Sequence, residues 1–436
     1  MIISSLIHIW ENVEYPFYQD QLGSSISFKD ILDIPVHGIN NIKQGDVVGI
    51  IGDFNPESIS TLFHLLDKGA IVVPLSSVTH PQHDYFLSQS HCQYLFEANS
   101  ISNNYYACKS NHFMLEKLRL KNHSGIVLFT TGTTDSPKAV LHDFVPFIER
   151  YHTPRQSLKA LSFLHFDHIG GLNTLFHMLF NLGQVISIKK RTVEDVLEAI
   201  NNYRIELLPT TPTFLRMLSL YPGIERKIPD SLKIITYGTE RMDQPTLTRL
   251  CSQLPNVDFR QTYGMSELGI MRIKSKDRGS VYMRVGGEGV KTKIVDGILY
   301  IKSKNRMIGY LNAESPFDSN GWYRTGDIVE TTEDDFLTIT GREGDVINVA
   351  GIKFMPSEIE VVCMQFNFVK GIKVYGKNNP ITGQHVELSV EFVDGCDPIV
   401  YKKILQLEMK RLLPKHMLPS KITIKALQVS HRMKKL

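Results

Sequence analysis

Ile126-Val127-Leu128-Phe129-Thr130-Thr131-Gly132-Thr133-Thr134-Asp135-Ser136-Pro137-Lys138 decides how the chain is read. Four consecutive large apolar residues suit a strand covered on both faces. The turn that follows offers hydroxyls and backbone N–H groups around one glycine, a concavity suited to phosphate oxygens. Lys138 adds a point charge at its far end. The Walker pattern G-x-x-x-x-G-K-[ST] fits nowhere in the chain. Taken alone, the segment reads equally well as a Thr-rich surface loop.

Strand-then-helix units surround it. Residues 46–51 read as a strand, 56–68 as a helix stopped by Gly69, and 70–75 as the next strand. A helix over 193–202 leads into a strand at 205–208, and 231–236 adds another. Such alternation predicts covered, mostly parallel sheets. After about Ser280 short strands and turns dominate, and Asp296-Gly297 reads as the turn of a hairpin joining 290–295 to 298–303. From Arg342 onward the mixture of helix and strand predicts a separate small α+β unit. The fold class is α/β. Residues 1–341 form a large N-terminal domain of covered mixed or parallel sheets with helices, and 342–436 form a small C-terminal α+β domain, with the boundary at Arg342 to Asp345.

Composition, at 42% hydrophobic and 21% charged over 436 residues, is that of an ordinary globular protein. A formal charge of +3 argues against nucleic acid or an anionic membrane as the main partner. Five scattered cysteines without metal-ligand spacing point to reduced thiols. The apolar N-terminus lacks a basic flank, and no uninterrupted apolar run reaches the ~18 residues of a membrane span. A soluble cytoplasmic protein is expected.

Three further motifs follow in order: Thr262-Tyr263-Gly264-Met265-Ser266-Glu267, Trp322-Tyr323-Arg324-Thr325-Gly326-Asp327, and Gly341-Arg342-Glu343-Gly344-Asp345 continuing to 356–360. With the Thr-rich loop, they make the chain resemble the adenylate-forming superfamily of acyl- and aryl-CoA synthetases, peptide-synthetase adenylation domains and luciferases, from about Gly45 to Lys434. Beside typical members the chain is short at its N-terminal side. The resemblance implies that Thr130, Thr131, Gly132, Thr133, Thr134 and Lys138 hold the triphosphate of ATP, and that Glu267 holds Mg²⁺. It implies that Tyr263 packs on the adenine beside Gly238-Thr239-Glu240, and that Asp327 accepts hydrogen bonds from the ribose hydroxyls. Lys434 would bridge the attacking carboxylate and the phosphate, with Lys435 as the second assignment and Arg342 near ribose and phosphate. The small domain would be a mobile cap turning about Gly344, with Gly351 lining a thiol tunnel, although a plain β-turn glycine is an equal reading of Gly351.

His168, Gly170, Gly171, Tyr237 and Met265 are expected to line the acid pocket, the two glycines clearing room for a ring or chain. The His-x-x-Gly spacing resembles acyl- and aryl-CoA synthetases. A shifted register would instead place Asp167 where peptide-synthetase domains hold the substrate ammonium, and a core histidine is another reading of His168. The activity implied is adenylation of an organic carboxylic acid with MgATP and release of pyrophosphate. The acyl group would then pass to the thiol of CoA or of a separately supplied carrier protein's phosphopantetheine. Two alternatives stand beside it: a stand-alone amino-acid-activating enzyme that loads a carrier protein, and a nucleotide-binding protein without ligase activity.

The chain departs from the family pattern at Asp135 and Ala139, both usually glycine, and at Gln428 and Met433 in the closing segment. A carboxylate beside phosphates is unfavourable unless it points away or helps hold Mg²⁺. Asp135→Gly is therefore expected to lower the Michaelis constant for ATP; an unchanged or higher value rejects this reading.

Overall fold

The computed structural model describes residues 2–104, 110–130, 136–427 and 430. Among these, three seven-stranded sheets and one five-stranded sheet carry the architecture. At the centre of the first lies Ile71–Ser76, every residue of it buried, parallel to Val47–Gly52 on one side and to Gly125–Phe129 on the other. A strand covered on both faces must be apolar throughout, which is what this run supplies. Pro74 is tolerated because the pairing to Gly125–Phe129 spans Ile71 and Val72, so the missing N–H lies beyond that ladder. The helix Pro56–Asp67 starts where expected, with Asn55 capping the Ser58 N–H and Pro56 in its first turn.

Gly125–Phe129 continues not into a helix but into an antiparallel strand, Ala139–Asp143, and Phe129 opposite Ala139 is their last pair. The Thr-rich segment thus connects two antiparallel strands. Gly309–Tyr310 adds a short antiparallel edge beyond it.

The second sheet orders Asp258–Gln261, Ile234–Tyr237, Leu207–Thr210, Lys159–Leu161, Gln184–Ser187, Tyr18–Asp20 and Ser25–Ile26, parallel except for the last pair. One apolar cluster joins the two sheets, taking Val48, Ile50 and Leu128 from the first and Ala160, Val185 and Leu207 from the second. Helix Ile169–Phe180 contributes Phe176, whose ring lies 5.3 Å from Phe144 and 6.1 Å from Phe147.

The third sheet is antiparallel and begins at Tyr263–Met265, earlier than the change of pattern expected near Ser280. The polar Tyr263-to-Glu267 motif is itself one arm of a tight strand pair, which its residues do not advertise. The Asp296-Gly297 hairpin forms as expected: Val295 pairs with Ile298, and φ is +51° and +74° at the two turn residues. The fourth sheet contains Ile347–Val349, Ile352–Phe354, Val369–Asn379, Gly383–Phe392 and Lys421–Ile424. Its buried apolar cluster draws its residues from Ile347 to Ile422, and the other clusters take none of them. No described helix is long and apolar enough to cross a membrane.

Burial, nearly complete at His142 and partial at His177, favours the neutral form of two histidines. Burial pushes His142 and His177 down to about 4 from 6.5. In the unfolded chain both take up a proton near pH 6.5, so the unfolded state binds more protons between pH 6.5 and 4 and stability falls as pH drops through that window. Each shift corresponds to about 3 kcal/mol. Thermal midpoints should decline across this range, and His142→Gln, which keeps a neutral donor, should flatten the decline. An unaltered slope in the variant removes the imidazole from the account.

Candidate active site

The neck of the Thr-rich turn is closed by a reciprocal pair: the Thr130 N–H donates to the Lys138 carbonyl at 3.1 Å, and the Lys138 N–H donates to Thr130 Oγ1 at 3.1 Å. Thr131, Gly132, Thr133 and Thr134, with Asp135, lie outside the described residues. The exit of the turn is clamped by Asn312, whose Nδ2 donates to the Pro137 carbonyl at 3.1 Å and whose Oδ1 accepts from the Ala139 N–H at 2.8 Å. Tyr85 Oη donates to the same Pro137 carbonyl. Ala139 is fully buried in its strand, so its methyl belongs to the core.

Lys138 Nζ lies 5.4 Å from the centre of the Tyr310 ring, and Tyr310 Oη donates to Glu267 Oε1 at 2.7 Å. Glu267 is 7% exposed. The turn bearing it is held to the first sheet by His142 Nε2, which donates to the Ser266 carbonyl at 2.6 Å, and by the Met307 N–H, which donates to the Glu267 carbonyl. His142 can donate from this ring position while neutral, in keeping with its lowered pKa. Burial, with the Glu267 charge beside it, raises the Tyr310 hydroxyl far above its ordinary range. Tyr323 lies within the electrostatic reach of Tyr310, and its hydroxyl is raised for the same two reasons.

Tyr323 lies on the strand Tyr323–Thr331, which also carries Asp327. Asp327 Oδ2 accepts from Tyr263 Oη at 2.5 Å, and Oδ1 accepts from Arg342 Nε at 3.1 Å. Burial raises its carboxyl above the usual range, while Arg342 and the Tyr263 hydroxyl pull it back. Each oxygen of a carboxylate has two lone pairs, so each still has one for a further donor. Lys138, Tyr310 and Glu267 thus form one set of contacts and Tyr263, Asp327 and Arg342 another; the strand Tyr323–Thr331 relates them, carrying Asp327 and placing Tyr323 within the electrostatic reach of Glu267 and Arg342.

Other expected site residues fall differently. Gly238 is demanded by close approach, since a Cβ there would stand 2.2 Å from Thr262 Oγ1. Thr239 takes a left-handed φ of +72°, and Glu240 turns its carboxylate to the N-terminus of the helix Pro212–Ser219, accepting from the Thr213 N–H and hydroxyl. His168 caps Ile169–Phe180, its Nδ1 accepting from the Gly170 N–H. The glycines after it stand in close contact with the preceding loop. A Cβ on Gly171 would meet the His165 carbonyl oxygen at 2.0 Å, and one on Gly170 would meet Leu164 Cδ1 at 2.6 Å, so they let the helix abut the preceding loop. The Tyr237 ring is core: it is 2% exposed in the cluster on the outer face of the second sheet, whereas its carbonyl holds Thr262. Met265 is half-buried against the third-sheet core. Asp167 is buried in the electrostatic reach of His83 and Arg191, so its charge is already engaged within the protein.

In the small unit, Gly351 follows Ala350 in a two-residue turn between Val349 and Ile352, with φ of +51° and +89°. The turn itself demands this glycine. Gly344 has an ordinary φ, and a Cβ on it would meet nothing within 4 Å. Lys434, Lys435, Gln428 and Met433 lie outside the described residues; the chain before them is held by the Leu427 N–H, which donates to Glu391 Oε2 at 2.8 Å.

Sequence reasoning missed Tyr310, Asn312, Tyr85 and His142. They belong to no motif whose spacing carries chemistry, and only the sheet pairing brings Gly309–Tyr310 beside Val140 and Leu141. Tyr323 stands within the Trp322-to-Asp327 motif, and its part in the site comes from its place beside Tyr310.

Comparison with known proteins shows the family. The AMP-binding enzyme family model matches residues 38–311. Among curated proteins, the chain is 27% identical over 314 residues to 4-coumarate–CoA ligase-like 6 of Arabidopsis thaliana, covering 64% of this chain and 55% of that protein. It is 25% identical over 416 residues to 2-succinylbenzoate–CoA ligase of Bacillus pumilus, covering 84% and 82%. The match thus spans about half the length of the plant relative and most of the bacterial one. Among solved structures, an anthranilate CoA ligase, AuaEII, in complex with anthranoyl-AMP superposes with a TM-score of 0.83 at 15% identity, covering 100% of this chain and 94% of that one, which is a likeness of fold. With well over half of its residues matched, the chain belongs to the AMP-binding enzyme family.

Proposed function

We propose that this protein is an AMP-forming acid–thiol ligase. The observation that carries the reading is the pair of contact sets Lys138–Tyr310–Glu267 and Tyr263–Asp327–Arg342, related by the strand Tyr323–Thr331, which associate a phosphate-type loop with a diol-type carboxylate. ATP would place its phosphates in the turn between Thr130 and Lys138 and its ribose at Asp327, with the adenine against Tyr263. A substrate carboxylate oxygen attacks the α-phosphorus in line, forming an acyl–AMP anhydride as pyrophosphate leaves. A thiol sulfur then attacks the acyl carbon, losing its proton, and AMP departs with the anhydride oxygen. Relatives named as CoA ligases, and a 25% identical relative named as a fatty acid–[acyl-carrier-protein] ligase, support a thiol acceptor of one kind or the other.

The residues present fit Mg²⁺. Such an ion takes one or two carboxylates and completes its shell with phosphate oxygens and water. Glu267 supplies a buried carboxylate whose Oε1 is oriented by Tyr310, and the described residues contain no group of three or more His, Cys, Asp or Glu that would form an all-protein cage. When bound, the ion would neutralise charge on the leaving pyrophosphate. The division into a large domain and a cap about Gly344 is supported by the separate core of the fourth sheet. Lys434, at the end of the cap, would stabilise the charge developing in the first step.

Acid-dependent release of pyrophosphate should fall about 10²- to 10³-fold in Lys434→Ala, while thioester formation from a supplied acyl-AMP stays largely intact. Equal loss of both half-reactions, or loss of neither, would reject the assigned role. Tyr310→Phe removes one hydrogen bond to Glu267, worth about 0.5–1.5 kcal/mol. It should raise the Mg²⁺ concentration for half-maximal rate by about two- to tenfold, and a Mg²⁺ titration identical to the parent's contradicts the positioning.

A further inference from the structure

The helix Pro398–Leu412 packs on the fourth sheet through Leu405 and Met409, both buried. At 3.6 residues per turn, Ile399, Val400, Lys403, Ile404, Leu407, Lys410 and Arg411 fall on the opposite arc. The apolar members are exposed: Ile399 at 68% and Leu407 at 67%, with Val400 and Ile404 beside them. No carboxylate lies on that arc. Glu408, at its border, pairs with Arg411, which leaves Lys403 and Lys410 as surplus positive charge. Lys402, facing the sheet, donates to the Ile422 carbonyl and takes no part. Scattered exposed apolar residues need no explanation, but four on one face of one helix, interleaved with lysines, form a patch suited to a partner.

We propose that this face docks an acidic, helical carrier protein whose phosphopantetheine is the acyl acceptor; the proposal rests on the acid–thiol ligase reading. Charge complementarity selects the occupant, because a negatively charged amphipathic helix satisfies the lysines at the rim and covers Leu407 and Ile404 at the centre. The position serves the chemistry as well. Phe354, on the strand after the Gly351 turn, shares a core cluster with Leu405 and Met409, so a carrier seated on this helix moves with the turn expected to line the thiol path.

The test compares acceptors. In the full-length protein, Lys403→Glu with Lys410→Glu, and separately Leu407→Ser, should lower kcat/KM for loading a holo-acyl carrier protein by about tenfold or more. Acid-dependent pyrophosphate release and transfer to CoA or free pantetheine should not change. Unchanged loading, or an equal loss with CoA, overturns the proposal, as does a wild type that loads CoA but neither binds nor loads the carrier. Binding of wild type to phosphatidylglycerol vesicles, lost in the double variant while carrier loading persists, would assign the face to a membrane and overturn it as well. Should no acid release pyrophosphate, the ligase reading fails. Direct titration with holo-carrier then still decides: weaker binding by the double variant supports docking, and absence of binding by wild type ends it.

Discussion

Two carboxylates buried at the junction of the first and third sheets set the terms for the rest of the molecule. An unpartnered buried charge is several kcal/mol unfavourable, so Glu267 and Asp327 must be met by donors wherever the fold puts them. The donors come from different elements: Tyr310 from the edge of the first sheet, Tyr263 from the start of the third, and Arg342 from the end of its strand Leu337–Arg342. The sheets are thereby joined through polar side chains at a place where apolar packing would have closed the crevice. Its negative charge also explains why a lysine stands over the Tyr310 ring, and why an incoming polyphosphate would need a cation beside Glu267.

One strand ties these requirements together. Within Ala139–Asp143, the first residue donates its N–H to Asn312, the next two pair with Gly309–Tyr310, and the fourth, His142, fixes the Ser266 carbonyl. The exit of the phosphate-type turn and the position of Glu267 are therefore set by four consecutive residues. A neutral His142 is part of this arrangement, because an imidazolium there would be a buried cation with Arg150 as its neighbour.

Much of this was legible beforehand. Strand Ile71–Ser76, the helix Pro56–Asp67 and the Asp296-Gly297 hairpin follow from local rules of burial, capping and turn chemistry. Asp327 and Glu267 stand out in the sequence because their motifs follow in order along the chain. The two glycines after His168 read ambiguously for a physical reason: a glycine removes volume either for a ligand or for a neighbouring backbone, and at Gly171 the carbonyl of His165 stands against it. Tyr237 was misplaced because alternation along a strand does not say which face meets a ligand; its side chain points into the outer core. Tyr310 and His142 matter only through non-local pairing, which one-dimensional spacing does not encode.

Gly351 and Gly344 show how a glycine's reason for being there can be located. At Gly351 the backbone stands at a φ of +89° in an exposed turn, so the present arrangement accounts for it fully. At Gly344 neither torsion nor space demands a glycine: φ is ordinary and the surroundings are open. Glycine's greater backbone entropy in the unfolded chain makes it a poor choice for holding one fixed conformation. Its benefit arises when the backbone at that position must adopt a second set of torsions. The surroundings allow such a change, since the small unit has its own apolar core and meets the large one through polar contacts such as Ser357 Oγ to the Thr340 carbonyl and Arg249 to Asn367. Polar contacts of this kind exchange for water at little net free energy, whereas separating a shared apolar core would not.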